Sequence, residues 1–374
     1  MKKPLTAPKL LIEGAGQCAD LIYGSGFIPV DPVVFLDEGS SSTLVVPMLE
    51  YGRAKVEARK SKVFLPEEIL VPPGERRRLA SIALYLLKFR KIKQIQVPTF
   101  FPAGIARELE KNGISIDIIT GPIYPERAIK DSSEVRKITE AQSAAVNAMK
   151  AAIRLIREAS VHRNRTLVWK KSALTSERVR EIIDIELLKS GCTARDTIVA
   201  GGRQATDPHD RGSGPLKAGE AIVIDIFPQH KQHHYWGDIT RTVCKGTPSP
   251  ALARMYQTVL KAQKMALDNI KAGVKGSDIH DMISAFFDGQ GYPTTVKNGV
   301  VRGFFHGTGH GVGLDIHESP SISLAPVELS VGNVVTVEPG LYDPDIGGIR
   351  IEDTVLVTRA GIKILCPLAK TFVI

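Results

Sequence analysis

The chain has 374 residues, enough for one large domain or two ordinary domains with packed cores. Its apolar content of 43% and charged content of 24% exclude a disordered or fibrous protein, and no apolar run reaches membrane-span length, which predicts no membrane partner. The formal net charge of +9 is concentrated between Arg53 and Lys93, where there are twelve Lys or Arg residues against four Asp or Glu residues.

This basic segment raises the question of an acidic partner such as a nucleic acid. No nucleic-acid-binding motif and no interleaved aromatic pattern accompanies the charges. The sequence therefore favours a solvated basic face, and a nucleic-acid partner is not expected.

The cysteines indicate the compartment. Four of them are scattered along the chain without CxxC spacing or a disulfide framework: Cys18, Cys192, Cys244 and Cys366. The basic start of the chain also lacks the continuous apolar core of a secretory signal. Free thiols of this kind predict a reducing, cytoplasmic location.

Residues 1–125 have the pattern of an α/β domain. Apolar runs around a Gly/Ser turn at 31–49 predict two strands, residues 75–98 predict a helix that leads into a strand, and residues 113–122 predict another strand. The proline-bearing segment 121–131 ends this alternation.

From Ser132 onward, helices are followed by strands. Residues 132–159 have helical periodicity behind a serine cap followed by glutamate. Further helices are predicted at 175–191, 250–271 and 277–290, and strands at 221–227, 237–246, 333–342 and 348–358. This order is typical of an α+β domain, so the sequence predicts two domains, 1–130 and 131–374.

Four carboxylates lie in or beside the apolar strand-like runs of the second domain: Asp225, Asp238, Glu338 and Glu352. A buried acid is costly unless a cation or another strong partner compensates it. One alternative is an ion pair, because strand periodicity puts Arg350 on the same face as Glu352. The other is a metal centre, since four carboxylates and an imidazole suit two divalent cations of the manganese, cobalt, zinc or iron type. The spacing favours the metal centre.

The segment 304–318, FFHGTGHGVGLDIHE, contains three of the nine histidines. It lacks the glutamate of an HExxH helix after His306, and its alternating glycines disfavour a helix. GTGHGVG also misses the spacing of a dinucleotide-binding loop. An extended strand suits it better, with His306 and His310 on one face and His317 on the other parity after a bend.

Together these motifs resemble the pita-bread metallopeptidases, of the aminopeptidase P and prolidase type. The matching segments are ATDPHD (205–210), DIFPQHKQHHYWGDITRT (225–242), HGTGHGVGLDIHE (306–318), VTVEPGLY (335–342) and GIRIEDTVLV (348–357). The resemblance is specific from about residue 130 onward and looser over residues 1–125. It implies an α+β fold in which a C-terminal pita-bread (creatinase/aminopeptidase) domain follows a smaller α/β creatinase-type N-terminal domain.

The resemblance also implies two divalent metal ions, manganese first, with cobalt, zinc or iron as alternatives. Five residues match the ligands: Asp225, Asp238, His310, Glu338 and Glu352. Asp238 and Glu352 would bridge the metals, His310 and Glu338 would complete one shell, and Asp225 would complete the other. Arg350 would then steer Glu352 rather than neutralise it.

Four residues match catalytic positions of the family. A hydroxide bridging the metals would attack the scissile carbonyl, with Glu338 moving the proton. His317 could hydrogen-bond the tetrahedral intermediate, and His209 could assist at the leaving imide nitrogen or position the substrate. His306 would also line the site. His209 as a loop histidine and His306 as packing support for His310 are the structural alternatives.

Two departures from the family pattern bear on function. Asp225 and Asp238 are 13 residues apart where the family usually has 11, and an insertion of two preserves strand parity. The extra histidines at that hairpin tip, His230, His233 and His234, favour a solvated turn over a second metal site.

The second departure is that residues 317–338 contain no Lys or Arg, where prolidases usually carry an arginine for the dipeptide carboxylate. This favours an aminopeptidase P-like enzyme that cleaves the Xaa-Pro bond at the N-terminus of longer peptides, with proline second. The alternatives are a prolidase, then a non-peptide hydrolase or lyase on the same scaffold, then a peptidase-like binding module. The resemblance also implies a homodimer.

Overall fold

A computed structural model of the protein describes residues 7–13, 18–58 and 60–374. The first residues of the basic start and Arg59 of the basic segment lie outside the described residues. The chain forms two compact units, 1–127 and 128–374. Among the described residues, no helix is both long and apolar enough to cross a membrane.

The first unit is a six-stranded sheet with helices. Its strands are β1 (Lys9–Glu13), β2 (Val33–Asp37), β3 (Ser42–Val45), β4 (Lys62–Phe64), β5 (Gln94–Pro98) and β6 (Ser115–Ile119), in the order β4-β3-β2-β1-β5-β6. Its helices are α1 (Ala19–Ser25), α2 (Met48–Glu57), α3 (Leu79–Phe89) and α4 (Ala103–Lys111). The strands and helix predicted for 31–49, 75–98 and 113–122 are confirmed, although α3 begins only at Leu79, after a short 3₁₀ turn at Pro73–Glu75.

Several cations of the basic segment are paired with carboxylates of the same unit. The pairs are Arg53 with Glu50 and Glu57, Arg78 with Glu108, and Arg90 with Glu38. These side chains are partly or largely exposed, apart from Glu50, so each pair adds little stability.

The second unit contains four helices: α5 (Ser132–Glu158), α6 (Ser176–Lys189), α7 (Pro250–Asn269) and α8 (Gly276–Gly289). All four follow the predicted periodicity within two residues. The cap of α5 differs, because Asp131 rather than Ser132 accepts hydrogen bonds from the backbone N–H of Ser133 and Glu134. The Glu134 side chain returns a hydrogen bond to Asp131 N, which completes a capping box.

Two sheets of the second unit carry most of its strands. The three-stranded sheet has the order β11-β12-β14, and the five-stranded sheet has the order β18-β17-β19-β22-β23. Their strands are β11 (Ile198–Gly201), β12 (Ile222–Ile226), β14 (Ile239–Val243), β17 (Gly309–Gly311), β18 (Glu318–Ile322), β19 (Val334–Val337), β22 (Asp353–Thr358) and β23 (Gly361–Ile364). All neighbouring pairs in both sheets are antiparallel.

Smaller elements complete this unit. They are β7 (Ser160–Val161), β8 (Leu167–Trp169), β9 (Ser172–Ala173), β10 (Cys192–Thr193), β13 (Gln229–His230), β15 (Thr295–Lys297), β16 (Val300–Arg302), β20 (Gly340–Asp343) and β21 (Gly347–Arg350). Strands β20 and β21 pair with each other as a separate hairpin. The small side chains of α5 let the helix lie close to the sheet, and a Cβ on Gly237 would be 2.6 Å from the Ala141 carbonyl carbon.

Two predicted strands are interrupted where their carboxylates lie. The run 333–342 divides into β19 and β20 at Glu338, and the run 348–358 divides into β21 and β22 at Glu352. At both points the chain leaves one sheet for another. Each glutamate therefore sits at a junction between sheets rather than inside a strand.

All four cysteines are free thiols, as predicted, and three of them are buried. Burial raises the pKa of Cys18 to about 12 and the pKa of Cys192 and Cys244 to about 11. Because the thiolate is the reactive form, iodoacetamide at pH 8 should label partly exposed Cys366 well before these three in the native protein. Peptide mass spectrometry measures this, with the unfolded protein as control. Equal rates at all four sites in the native protein would contradict the expectation.

Candidate metal centre

The hairpin formed by β12 and β14 presents two of the predicted ligands on one face. Asp225 lies opposite Thr240 in this antiparallel pair. Asp238 precedes Thr240 by two residues, so both aspartates have the same parity. The two-residue insertion in the hairpin therefore keeps both carboxylates on the same side of the sheet, as the sequence suggested.

The backbone of Asp238 is held by residues from two distant segments. The buried Gln142 amide of α5 donates from Nε2 to the Asp238 carbonyl (2.9 Å), and its Oε1 accepts from Asp238 N (2.7 Å). Thr354 Oγ1 donates to the same carbonyl at 2.8 Å. Sequence reasoning missed Gln142, although a polar residue within the alanine-rich face of α5 was a usable signal.

His310 is the central residue of the short strand β17, between two glycines. A Cβ on Gly309 would be 2.0 Å from Thr336 O, and one on Gly311 would be 2.6 Å from Glu318 O, so neighbouring backbone excludes side chains at both positions. His310 Nδ1 lies 3.2 Å from the carbonyl of Gly311, to which it can donate. The Nε2 atom is then left to bind a cation or to interact with the nearby carboxylates.

The ring of His310 faces the carboxylates from one side. Its Nε2 lies 3.2 Å from Glu338 Oε1 and 3.7 Å from Asp238 Oδ2. Glu352 is 1% exposed and accepts a hydrogen bond from Thr240 Oγ1 at 2.8 Å. One ligand atom from each of Asp238, His310 and Glu352 lies within 4.8 Å of the others.

A single cavity of about 140 Å³ brings the predicted site together. It is lined by all eight predicted residues: His209, Asp225, Asp238, His306, His310, His317, Glu338 and Glu352. Apolar side chains, including Ile198, Phe227 and Ile316, form part of the wall. Carboxylates and imidazoles from segments as far apart in sequence as His209 and Glu352 thus share one small, partly apolar space.

The carboxylates of this cavity repel one another. Burial and neighbouring carboxylates raise the pKa of Asp238 and Glu352 well above their usual values. Burial likewise raises the pKa of Asp225, although Arg350 opposes the shift. Burial disfavours charged His310, but Glu338 and Glu352 outweigh it and raise the pKa of His310 to about 9. Burial disfavours charged Glu338 as well, but His310 outweighs it and lowers the pKa of Glu338 to about 2.

The residues fit divalent cations. The donor set consists of carboxylate oxygens and one imidazole nitrogen, which hard and borderline cations prefer. Asp225 Oδ1 is fully buried and has no hydrogen-bond partner among the described residues. Such an oxygen is costly unless a ligand outside the protein compensates it.

Arg350 takes a different partner from the one its spacing suggested. Its Nη2 donates to Asp225 Oδ2 at 2.7 Å, and its Nη1 donates to the Tyr342 hydroxyl at 2.9 Å. The alternative of a direct Arg350–Glu352 ion pair is wrong, because the strand ends at Arg350 and its periodicity does not continue to residue 352. Arg350 reaches Glu352 only indirectly: its Nε lies 3.4 Å from Thr240 Oγ1, which donates to Glu352. Tyr342 was not predicted as part of the site.

His306 is held by the protein at both ring nitrogens. Its Nε2 lies 2.8 Å from the Tyr342 hydroxyl, and its Nδ1 lies 2.8 Å from the Gly307 carbonyl. Burial lowers the pKa of His306 to about 4, so the ring is neutral near pH 7. A chain of contacts therefore runs from His306 through Tyr342 and Arg350 to Asp225.

The other two predicted histidines differ in their contacts. The His317 ring packs edge-on against His310, with centroids 4.3 Å apart and planes at 89°. His209 is exposed at the cavity, and its backbone N–H donates to Asp207 Oδ1.

The histidines of the hairpin tip are not simply solvated. His230 and His233 stack in parallel with centroids 3.9 Å apart, and His233 Nε2 lies 3.3 Å from Glu140 Oε2. These three residues bring potential ligand atoms within 4.8 Å of one another. However, the Nδ1 atoms of both histidines accept backbone N–H groups, which puts the proton of each neutral ring on Nε2. Neither nitrogen then offers a free lone pair to a metal.

Comparisons with known proteins identify the family of the chain. The sequence profile of metallopeptidase family M24 matches residues 136–359. An Xaa-Pro dipeptidase of Pyrococcus horikoshii is 32% identical over 348 residues, covering 92% of this chain and 89% of that protein. An Xaa-Pro dipeptidase of Pyrococcus furiosus is 32% identical over 350 residues, covering 92% and 90%.

Solved structures resemble the whole chain. The X-Pro aminopeptidase from Thermotoga maritima has a TM-score of 0.81 and 27% identity, covering 98% of this chain and 97% of that one. The prolidase from Pyrococcus furiosus has a TM-score of 0.80 and 29% identity, covering 97% of each chain. These matches confirm the predicted α+β fold class, with its C-terminal pita-bread domain, and the predicted metallopeptidase class. The chain belongs to metallopeptidase family M24.

Proposed function

We propose that this protein is a metal-dependent Xaa-Pro dipeptidase. The observation that carries the proposal is the pair of Pyrococcus relatives named Xaa-Pro dipeptidase, each 32% identical and covering 92% of this chain. The sequence motifs alone favour an aminopeptidase P-like enzyme, and the relatives move the preference to the dipeptidase. In this proposal residues 131–374 form the catalytic domain and residues 1–130 a creatinase-like N-terminal domain.

The residues that would hold the cations are Asp225, Asp238, His310, Glu338 and Glu352. The unpaired, buried Asp225 Oδ1 and the mutual repulsion of the carboxylates support this assignment. Manganese is the first candidate, and cobalt, zinc or iron have similar ligand preferences. Bound cations would polarise the scissile carbonyl and make a water acidic enough to attack it at neutral pH.

The protein's own groups would handle the proton and the substrate. Glu338 Oε1 accepts from Thr336 Oγ1 and faces His310 Nε2, so Oε2 is the oxygen that takes up the proton of the attacking water. His317 would donate a hydrogen bond to the oxygen that becomes negative during attack. His209, at the exposed side of the cavity, would position the substrate or assist at the leaving imide nitrogen.

His306 has a supporting role in this proposal. Both of its ring nitrogens already have partners within the protein, the Tyr342 hydroxyl and the Gly307 carbonyl. The histidine would therefore orient Tyr342 and, through Arg350, the Asp225 carboxylate, rather than contact substrate.

An Xaa-Pro aminopeptidase is the second candidate. Residues 317–338 contain no Lys or Arg to hold the carboxylate of a dipeptide. The Thermotoga maritima X-Pro aminopeptidase also has a closely similar fold, with a TM-score of 0.81. The two candidates differ in whether the residue after proline is required.

The deciding experiment compares matched Xaa-Pro dipeptides and Xaa-Pro-Yaa tripeptides with manganese-loaded protein. We expect chelator-sensitive cleavage that is faster for the dipeptides, measured by chromatography of the products. Cleavage of the tripeptides alone would favour the aminopeptidase. No cleavage of either peptide by metal-loaded protein would contradict both candidates and favour a non-peptide hydrolase or lyase, whereas any turnover contradicts a pure binding module.

The proposal includes a cytoplasmic homodimer. The four free cysteines favour a reducing compartment, and the resemblance to aminopeptidase P and prolidase favours the dimer. Light scattering on the purified protein tests the oligomeric state, and a mass equal to one chain would contradict it.

A further inference from the structure

The His317 side chain depends on its loop for its orientation. Within the described ranges 7–13, 18–58 and 60–374, the His317 ring makes no hydrogen bond, and its recorded contact is the edge-on packing against His310. The loop that carries it connects β17 to β18, from Val312 to His317. Whatever fixes this loop therefore fixes the direction of the imidazole.

The first half of the loop is held by Trp236. Its backbone N–H donates to Gly313 O at 2.9 Å, and its indole Nε1–H donates to Leu314 O at 3.1 Å. These two hydrogen bonds hold residues 313 and 314. A further anchor acts on the second half of the loop, closer to His317.

Glu318 supplies that anchor by folding its carboxylate back onto the loop. Its Oε2 lies 3.4 Å from the backbone N of Asp315, and its Oε1 would be 2.3 Å from a Cβ on Gly313. The carboxylate therefore occupies the space that a side chain at position 313 would take. It closes the loop on both sides of His317.

The Glu318 carboxylate meets a buried cation from a distant part of the chain. Lys130 Nζ lies 2.5 Å from Glu318 Oε1, and the two side chains are 1% and 9% exposed. The backbone N–H of Lys130 donates to Gly332 O at 2.9 Å, so the lysine is fixed at both ends. Burying a lysine this deeply is costly, and an apolar pair of similar volume would stabilise the fold as well. The main effect of this ion pair is therefore geometric: it fixes the position of the Glu318 carboxylate within the loop.

We propose that Lys130 and Glu318 are positioning residues, whose buried ion pair holds the 313–318 loop and thereby sets the orientation of the His317 imidazole toward the substrate. The proposal rests on the role given to His317 in the proposed function. It assigns the segment just before α5, far from the cavity in sequence, a part in arranging the site.

The test uses the double variant K130M/E318Q, which removes both charges together. K130M alone would leave the Glu318 carboxylate buried without Lys130 and would lose more stability, so the neutral pair is the more informative change. The matched control is R90M/E38Q, which likewise removes both charges of an ion pair, the partly buried Arg90–Glu38 pair (side chains 25% and 20% exposed). Both residues and their hydrogen-bond partner Ser41 belong to the first unit, whereas the loop belongs to the second.

The first measurement is amide hydrogen exchange by mass spectrometry on peptides that cover residues 312–318. We expect faster exchange in K130M/E318Q and wild-type exchange in R90M/E38Q. The second measurement is kcat and KM for an Xaa-Pro dipeptide. We expect kcat to fall on the order of tenfold to a hundredfold with a smaller change in KM, because misplacing a catalytic group slows the chemical step. In an H317A background the double substitution should cause no further loss of kcat.

Each result has a defined meaning. Unchanged exchange in the loop would overturn the anchoring role, even if the protein shows no peptidase activity at all. Losses of kcat that simply add to those of H317A would show that the pair does not act through His317. Full kcat in H317A would overturn the positioning claim together with the role of His317. If the wild-type protein cleaves no Xaa-Pro peptide, the proposed function fails, while the exchange data still decide whether the pair anchors the loop.

Discussion

The variant E352Q is expected to melt at a higher temperature than the wild-type protein when both are free of metal. Glu352 is 1% exposed and shares its cavity with three other carboxylates, and burial together with their repulsion raises its pKa well above the usual value. Glutamine has nearly the same shape and can still accept the Thr240 hydroxyl hydrogen bond, but it removes one buried charge. A gain of about 1 kcal/mol would raise the melting temperature by about 2–4 °C.

The same substitution should abolish function. Loss of a residue beside a metal ligand typically costs ten- to a hundredfold in affinity or activity, so loss of a ligand itself should cost more than about a hundredfold. Addition of manganese at about 100 times its dissociation constant should stabilise the wild-type protein by about 2.7 kcal/mol but leave E352Q nearly unchanged. Differential scanning fluorimetry with and without chelator, combined with elemental analysis, measures both effects.

E328Q is the matched control, because Glu328 is an exposed glutamate of the same unit. It should bind metal and melt like the wild type. A metal-free E352Q that melts no higher than metal-free wild type would show that the carboxylates of the cavity do not repel one another as described. Full metal content in E352Q would show that Glu352 is not a ligand.

The residues of the candidate site could be singled out from sequence, because they lie in short local motifs that place acids and histidines where strands rarely carry them. The proposed ligands in these motifs are Asp225, Asp238, His310, Glu338 and Glu352. The structure brings all five to one cavity of about 140 Å³. Helix bounds could also be predicted closely, since the apolar periodicity of α5 to α8 follows directly from burial of one face.

The supporting contacts could not be predicted, because they join segments that no local pattern relates. Gln142 meets the backbone of Asp238, and Lys130 meets Glu318, across 96 and 188 positions of sequence respectively. Strand predictions follow the spacing of apolar residues. They therefore run through Glu338 and Glu352 without a break, whereas the chain changes sheets at both residues. The mistaken partner of Arg350 follows from the same error.

The second large effect is expected at Arg350. R350M should lower the free energy of unfolding by about 3–5 kcal/mol, because it leaves the Asp225 carboxylate without its 2.7 Å partner. The two side chains are 4% and 13% exposed, so water replaces little of the lost interaction. The change also removes the donor that reaches the Tyr342 hydroxyl at 2.9 Å. Urea unfolding, followed by circular dichroism with and without metal, measures the loss.

Two milder variants separate the contributions of charge and geometry. R350K keeps a positive charge but cannot bridge Asp225 and Tyr342 with a planar fork, so its loss should lie between those of R350M and Y342F. Y342F removes only the hydroxyl between His306 and Arg350 and should cost about 1 kcal/mol. Metal should recover part of the stability of R350M, because a cation beside Asp225 compensates the same carboxylate. If R350M is as stable as wild type without metal, the Asp225 carboxylate is not held as a buried anion. Its charge would then give no reason for a cation in this cavity.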